Sequence, residues 1–174
     1  MELGIPSWHR VGPRAGSSHK RCVLLSGCFI HSVDDKNRIS LPARLRNELP
    51  GGFVLTKGAD GCLWALPQDK WSLVLQKGVA STAVQRFLVA SACHCAPGAK
   101  GRFLLPDSLR KHAEIRPGEE VAIIGLGSRI EIWSLRRWEA ISSQITRERL
   151  EQDLPELFSD TQSTVSRDHS TSAE

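Results

Sequence analysis

Two stretches of this chain, 64 positions apart, carry one pattern. Residues 34–46 read D-D-K-N-R-I-S-L-P-A-R-L-R, and residues 98–110 read G-A-K-G-R-F-L-L-P-D-S-L-R. Lys36, Arg38, Leu41, Pro42, Leu45 and Arg46 align with Lys100, Arg102, Leu105, Pro106, Leu109 and Arg110. The correspondence resumes at a shift of 67, where Val54, Gly58 and Trp71 meet Val121, Gly125 and Trp138. Leu63 and Leu66 there oppose Ile130 and Trp133. A repeat of about 45 residues is too small to bury a sufficient core alone, so the two halves are expected to pack on each other. A Lys-x-Arg pair kept beside a strand in both halves points to paired contacts with a repeating anionic partner. The plainer reading is a duplicated scaffold whose basic residues are merely solvated.

Charge is distributed to match. Residues 1–22 carry four basic residues and one acidic, residues 23–113 carry twelve and six, and residues 114–174 carry seven and twelve. The positive field sits with the Lys-x-Arg segments and an acidic end follows, which suits nucleic acid better than an acidic membrane surface. No apolar run approaches the roughly 20 residues that span a bilayer. The N-terminal residues lack the apolar stretch of a secretory signal. Five cysteines, Cys22, Cys28, Cys62, Cys93 and Cys95, are then expected as reduced thiols.

Periodicity sets the expected elements. Residues 27–33 form a strand, with Phe29 and His31 on one side and Ile30 and Ser32 on the other. Asp34 to Asn37 is turn chemistry. In the following strand, Ile39 and Leu41 point inward and Arg38 and Ser40 outward. Pro42 opens a short helix carrying Leu45 and Leu49, and Pro50-Gly51-Gly52 stops it. Residues 53–57 and 62–66 form a hairpin. A helix with Trp71 and Val74 follows, then one over 81–93 presenting Val84, Phe87, Leu88 and Ala92. The second half replays the order: a turn at 96–101, a strand at 102–105, a helix from Pro106, and a hairpin from 121–125 and 129–133. Ser134 caps a longer helix over about 135–152. The stretches before residue 23 and after Pro155 lack a period and are expected to be disordered.

Asp34-x-x-x-Arg38 spans a turn into a strand. A carboxylate four residues before an arginine can accept from its guanidinium and fix its direction. An oriented arginine beside a mobile Lys36 can engage phosphates or a guanine edge; the alternative is a surface ion pair worth ~0–1 kcal/mol. Cys93-His94-Cys95 offers soft ligands, and His19, His31 and His112 are available, but no set of four has zinc spacing. Trp64, Trp71, Trp133 and Trp138 lie on apolar periods, as core anchors do. There is no G-x-S-x-G, P-loop or H-E-x-x-H pattern, and Gly125-Leu126-Gly127 lacks the third glycine of a dinucleotide loop. An enzyme is not expected, and no cofactor or metal.

The segments G-C-F-I-H-S-V-D-D-K-N-R-I-S-L-P-A-R-L-R, K-G-A-D-G-C-L-W-A-L-P-Q-D-K-W, K-G-R-F-L-L-P-D-S-L-R and G-L-G-S-R-I-E-I-W-S-L-R-R-W resemble the MraZ family of bacterial transcriptional regulators, in order over about residues 24–140. The resemblance implies an α+β fold: two tandem swapped-hairpin (SpoVT-AbrB-like) β-α-β modules, packed as a pseudo-two-fold unit with intervening and C-terminal helices. The expected divisions are an extension at 1–23, module one at 24–72, linking helices at 73–95, module two at 96–139, a C-terminal helix at 140–154 and a tail at 155–174. It further implies a cytoplasmic, nucleoid-associated regulator that assembles as a ring-forming homo-oligomer. Its partner would be double-stranded DNA, in tandem promoter repeats upstream of the division and cell-wall gene cluster that includes its own promoter. No membrane and no small-molecule substrate are implied.

The family's D-x-x-x-R motif maps to Asp34 and Arg38. In the second repeat Gly98 replaces the aspartate while Arg102 remains. Lys36, Arg38, Lys100 and Arg102 are the expected DNA-binding residues and Asp34 the orienting one. Arg46 and Arg110 are candidates for additional phosphate contacts. Two other classes are an antitoxin-like interaction module on a related fold, and a thiol or metal sensor.

Overall fold

The computed structural model describes residues 25–77 and 81–159; the expected leader at 1–23 and the tail beyond Ser159 lie outside them. The first repeat begins with β1 (Leu25–Ser32), turns at Asp34–Asn37 and continues into β2 (Arg38–Ser40). Pro42, with extended backbone, stops the strand and opens α1 (Ala43–Asn47). Its fixed φ suits a helix entrance and it has no N–H to leave unpaired. A hairpin of β3 (Phe53–Lys57) and β4 (Leu63–Pro67) follows, then α2 (Gln68–Lys77). After α3 (Thr82–Leu88) the second repeat gives β5 (Cys93–Cys95), β6 (Arg102–Leu104), α4 (Asp107–His112), β7 (Glu120–Gly127) and β8 (Ile130–Ser134). The chain closes with α5 (Leu135–Ser142) and α6 (Arg147–Ser159).

The repeats exchange their first strands. One antiparallel sheet runs β1-β7-β8-β4-β3-β5. In it β1 of the first repeat lies on β7 of the second, pairing Ile30 with Ala122. Reciprocally, β5 of the second repeat lies on β3 of the first, pairing Val54 with His94. The hairpins meet at the middle, where Leu63 pairs with Ile132. A separate ribbon joins β2 to β6 with Ile39 opposite Phe103. Each pairing across the repeats is therefore matched by its counterpart, a two-fold relation inside one chain.

Alternation along the ribbon places Ile39 and Phe103 inside, against the sheet. The Phe103 ring meets Phe53 edge-on at 5.1 Å. Ile39, Leu45, Leu55, Leu63, Leu109 and Ile123 are fully buried in this core. Truncating a large core side chain such as Phe53 to alanine costs ~3–5 kcal/mol in general, so the ribbon is firmly seated. The opposite face of the sheet carries a smaller cluster, in which Trp133 and Ile124 are covered by Trp138 and Ile141 of α5. Trp71 is buried as well, so Trp71, Trp133 and Trp138 act as packing groups.

Several expectations need correction. Cys93–Cys95, expected at the end of a linking helix, is a strand, because the open edge of β3 satisfies its backbone. The helix expected over 81–93 ends at Leu88, and Val84 and Phe87 on it stay largely exposed. The helix expected over 135–152 is two. The Ser142 and Ser143 hydroxyls bond back to the carbonyls of Glu139 and Ala140, which competes with helix continuation. Thr146 Oγ1 then accepts the Arg149 N–H and caps α6, which continues past Pro155 to Ser159. Ser134 precedes α5, but its hydroxyl makes no capping bond and is buried without a partner.

Candidate nucleic-acid interface

The two Lys-x-Arg turns enter the two strands of the ribbon. Because β2 and β6 are antiparallel, the turns sit at opposite ends of a ladder only three residues long. In the first turn, Asn37 donates its N–H to Asp34 O at 3.0 Å and Asp34 donates to Arg38 O at 2.9 Å. In the second, Gly101 donates to Gly98 O at 2.7 Å and Gly98 to Arg102 O at 3.1 Å. Each turn also accepts across the ribbon: Leu105 N–H donates to Asn37 O at 2.8 Å, and Leu41 N–H to Gly101 O at 2.9 Å. Asn37 and Gly101 occupy equivalent places, both in left-handed backbone with φ of 57° and 74°. Asparagine is among the few residues with a side chain that visit this region readily.

With Ile39 and Phe103 turned inward, the outward face of the ribbon carries Arg38 and Ser40 on one strand and Arg102 and Leu104 on the other. Arg38 lies directly opposite Leu104, and Ser40 opposite Arg102. The two arginines are thus diagonal neighbours, with backbones ~7–8 Å apart by sheet geometry. Lys36 and Lys100 stand exposed in the adjoining turns. The structure therefore gathers all four expected basic residues on and beside one short ribbon.

Asp34 is engaged in three ways. Its Oδ1 accepts the backbone N–H of Lys36 at 2.9 Å and of Arg38 at 2.8 Å. Its Oδ2 accepts Arg38 Nε at 2.8 Å. The Arg38 N–H holds the Asp34 carboxyl below its usual value, with the Arg38 guanidinium and the Lys36 N–H adding to this against some desolvation. The carboxylate is thus fixed by its own turn and holds the arginine in return through its Nε. Arg102 has neither an aspartate nor any other ion-pair partner among the described residues.

Arg46 and Arg110, equivalent in sequence, are held differently. Arg46 Nη1 reaches across the repeats to Ala99 O at 3.2 Å and steadies the second turn. Arg110 stays on its own side, donating to Ile115 O at 2.9 Å and contacting Asp107 at 3.3 Å. Sequence reasoning saw neither role. It also missed Leu104, although the run R-F-L-L contains a signal: with Phe103 and Leu105 inward, the first of two adjacent leucines must face out.

Two of the thiols, Cys62 and Cys95, are buried and behave as packing groups, while Cys28 is exposed and Cys93 half-buried. Burial, with Glu131 nearby, pushes the Cys62 thiol up to about 12. Burial and the neighbouring Cys93 push Cys95 up to about 12 as well. Both stay protonated at neutral pH, and a thiolate is what metal binding or oxidation requires. Among the described residues no group of three or more His, Cys, Asp or Glu side chains is placed to hold a metal ion. No helix among them is long and apolar enough to cross a membrane.

The chain thus holds two related halves joined through one ribbon that carries basic side chains, and comparison with known sequences gives its family. The profile of the family described as "MraZ protein, putative antitoxin-like" matches residues 24–86 and again 88–160. A "Transcriptional regulator MraZ" of Heliobacterium modesticaldum is 41% identical over 122 residues, 66% of this chain and 84% of that protein. One from Caldicellulosiruptor saccharolyticus is 37% identical over 143 residues, covering 77% of this chain and 99% of the relative. Another from Limosilactobacillus reuteri is 36% identical over 128 residues, covering 70% and 89%. The chain belongs to the MraZ family of transcriptional regulators.

Proposed function

We propose that this chain is a sequence-specific regulator that grips duplex DNA with the β2–β6 ribbon. The observation that carries the reading is the convergence of Lys36, Arg38, Lys100 and Arg102 on one two-stranded ribbon. A two-stranded ribbon fits the width of the major groove. In this reading the exchanged strands make the two halves a tandem pair of swapped-hairpin (SpoVT-AbrB-like) modules, the first near residues 24–72 and the second running from β5 to about residue 139. Arg38, aimed by Asp34, contacts a base edge. Lys36, Lys100 and Arg102 meet phosphates, and Arg46 acts mainly by steadying the second turn. Several chains in a ring-forming homo-oligomer engage tandem promoter repeats upstream of the division and cell-wall gene cluster, the protein's own promoter among them. The site of action is the cytoplasmic nucleoid.

One module offers few charges, so affinity rests on linked sites. Linkage raises avidity by ~10²–10⁴ without new contacts when the geometry matches. The test is binding to the region upstream of its own gene, trimmed to one, two and three repeats at fixed ionic strength. Wild type is expected to tighten steeply with repeat number and to weaken with added salt. The Arg38→Ala, Arg102→Ala double variant is expected to lose ~1–3 kcal/mol for each arginine that reads a base edge. Undiminished binding by that variant refutes the assignment. Purification with a tightly bound protein and no affinity for DNA would favour an antitoxin-like module instead.

A further inference from the structure

We infer that Leu104 is a specificity-determining residue that reads the 5-methyl group of a thymine beside the base contacted by Arg38. The inference rests on the DNA reading of the ribbon given above. Leu104 is 60% exposed, the most open of the large apolar side chains among the described residues. It is also the only apolar side chain on the outward face of the ribbon, whose other members there are Arg38, Ser40 and Arg102. A leucine standing among cations gains nothing from phosphates, which offer only charge and hydrogen-bond acceptors. In the major groove the apolar group within reach of a side chain is the thymine methyl. Leu104 sits directly across the ladder from Arg38, so the braced arginine and the leucine would face the same or adjacent base pairs.

The first repeat has Ser40 at the corresponding place. A serine hydroxyl can donate or accept and so tolerates either base type. The two ends of the ribbon therefore present different chemistry, arginine beside leucine at one end and arginine beside serine at the other. One chain would then demand a thymine on one side of its site and not on the other.

The probe is the duplex that wild-type protein enriches from a random-sequence pool, with each thymine replaced in turn by deoxyuridine, which lacks only the methyl. Wild type is expected to lose about four-fold in affinity at one thymine per bound chain, the worth of one buried methyl-sized group. Leu104→Ala and Leu104→Ser are expected to bind thymine and deoxyuridine equally at that position. Both variants will fold, because substitutions at exposed sites typically change stability little; a thermal melt checks this. The inference is overturned if wild type ignores every deoxyuridine replacement, or if the four-fold loss persists in Leu104→Ala. Either result, with wild type still preferring the enriched duplex over a scrambled one, leaves the DNA reading standing. A wild type that enriches no sequence and does not distinguish it from a scrambled duplex overturns both.

Discussion

The turn of the first repeat and the turn of the second share a backbone and differ in what holds the arginine that follows. Both close with the same hydrogen bonds and both place their fourth residue in left-handed backbone. In the first, Asp34 ties down two backbone N–H groups and the Arg38 guanidinium together. In the second, Gly98 offers no side chain, and the turn is steadied from outside by Arg46 on the carbonyl of Ala99. The backbone pattern is enough to make the turn, while the carboxylate adds direction to the arginine. A braced arginine has already lost its rotamer freedom on folding. A free one loses ~0.5–1.5 kcal/mol worth of that freedom on binding. Under the proposed DNA reading, the first turn would suit base reading and the second adaptable contact with a phosphate.

The sharpest way to break this comparison is at the left-handed position. Gly101→Ala is expected to cost about 2 kcal/mol of stability, read as a drop in Tm. Besides its φ of 74°, an added Cβ would lie 2.7 Å from Leu41 O and 2.9 Å from Arg46 Nη1. Asn37→Gly at the matching place is expected to be nearly neutral in the same melt. Equal losses at the two sites would show that the turns are not held as differently as described.

A smaller effect is expected from the brace itself. Asp34→Ala is expected to weaken DNA binding by roughly three- to ten-fold while the fold is retained, because Arg38 must then be ordered at binding. The dependence on salt should be unaltered in slope, since the number of phosphates neutralised does not change. A steeper slope would mean that Arg38 turns to a phosphate once released.

The smallest effect tests whether the second turn can be made like the first. A Cβ on Gly98 would meet only Arg102 O, at 3.9 Å. Gly98→Asp therefore fits, and is expected to raise affinity for the preferred duplex by roughly two- to three-fold through bracing of Arg102. If affinity instead falls, Arg102 needs its freedom, and the added negative charge near the phosphates dominates.

The sequence made the site legible because its parts are local. The D-x-x-x-R spacing, the turn residues and the alternation of Arg38, Ile39, Ser40 and Leu41 each act within a few residues, and each appears in the structure as read. Long-range pairing was less legible. Cys93-His94-Cys95 has no period that marks a strand; it becomes one because β3 presents an open edge some forty residues earlier. The break between α5 and α6 depends on hydroxyls choosing backbone carbonyls over solvent, a balance too fine for an apolar stripe to reveal. The outward place of Leu104 was legible in the run R-F-L-L, whereas its position opposite Arg38 was not, because only the pairing of β2 with β6 shows it.

The exchange of first strands also makes order of synthesis matter. Among the described strands β1 is made first, yet its neighbour β7 is made last but one, Leu25 pairing with Gly127 and Ser32 with Glu120. Contacts so distant in sequence carry a large loop-closure cost before they return any stabilisation, and folding slows accordingly. On the ribosome β1 must wait, unpaired, while the whole first hairpin and both intervening helices emerge. During that interval its unpaired backbone edge is open to a second nascent chain offering the same partner, so a dimer with strands traded between chains is the natural misfolding product of this design.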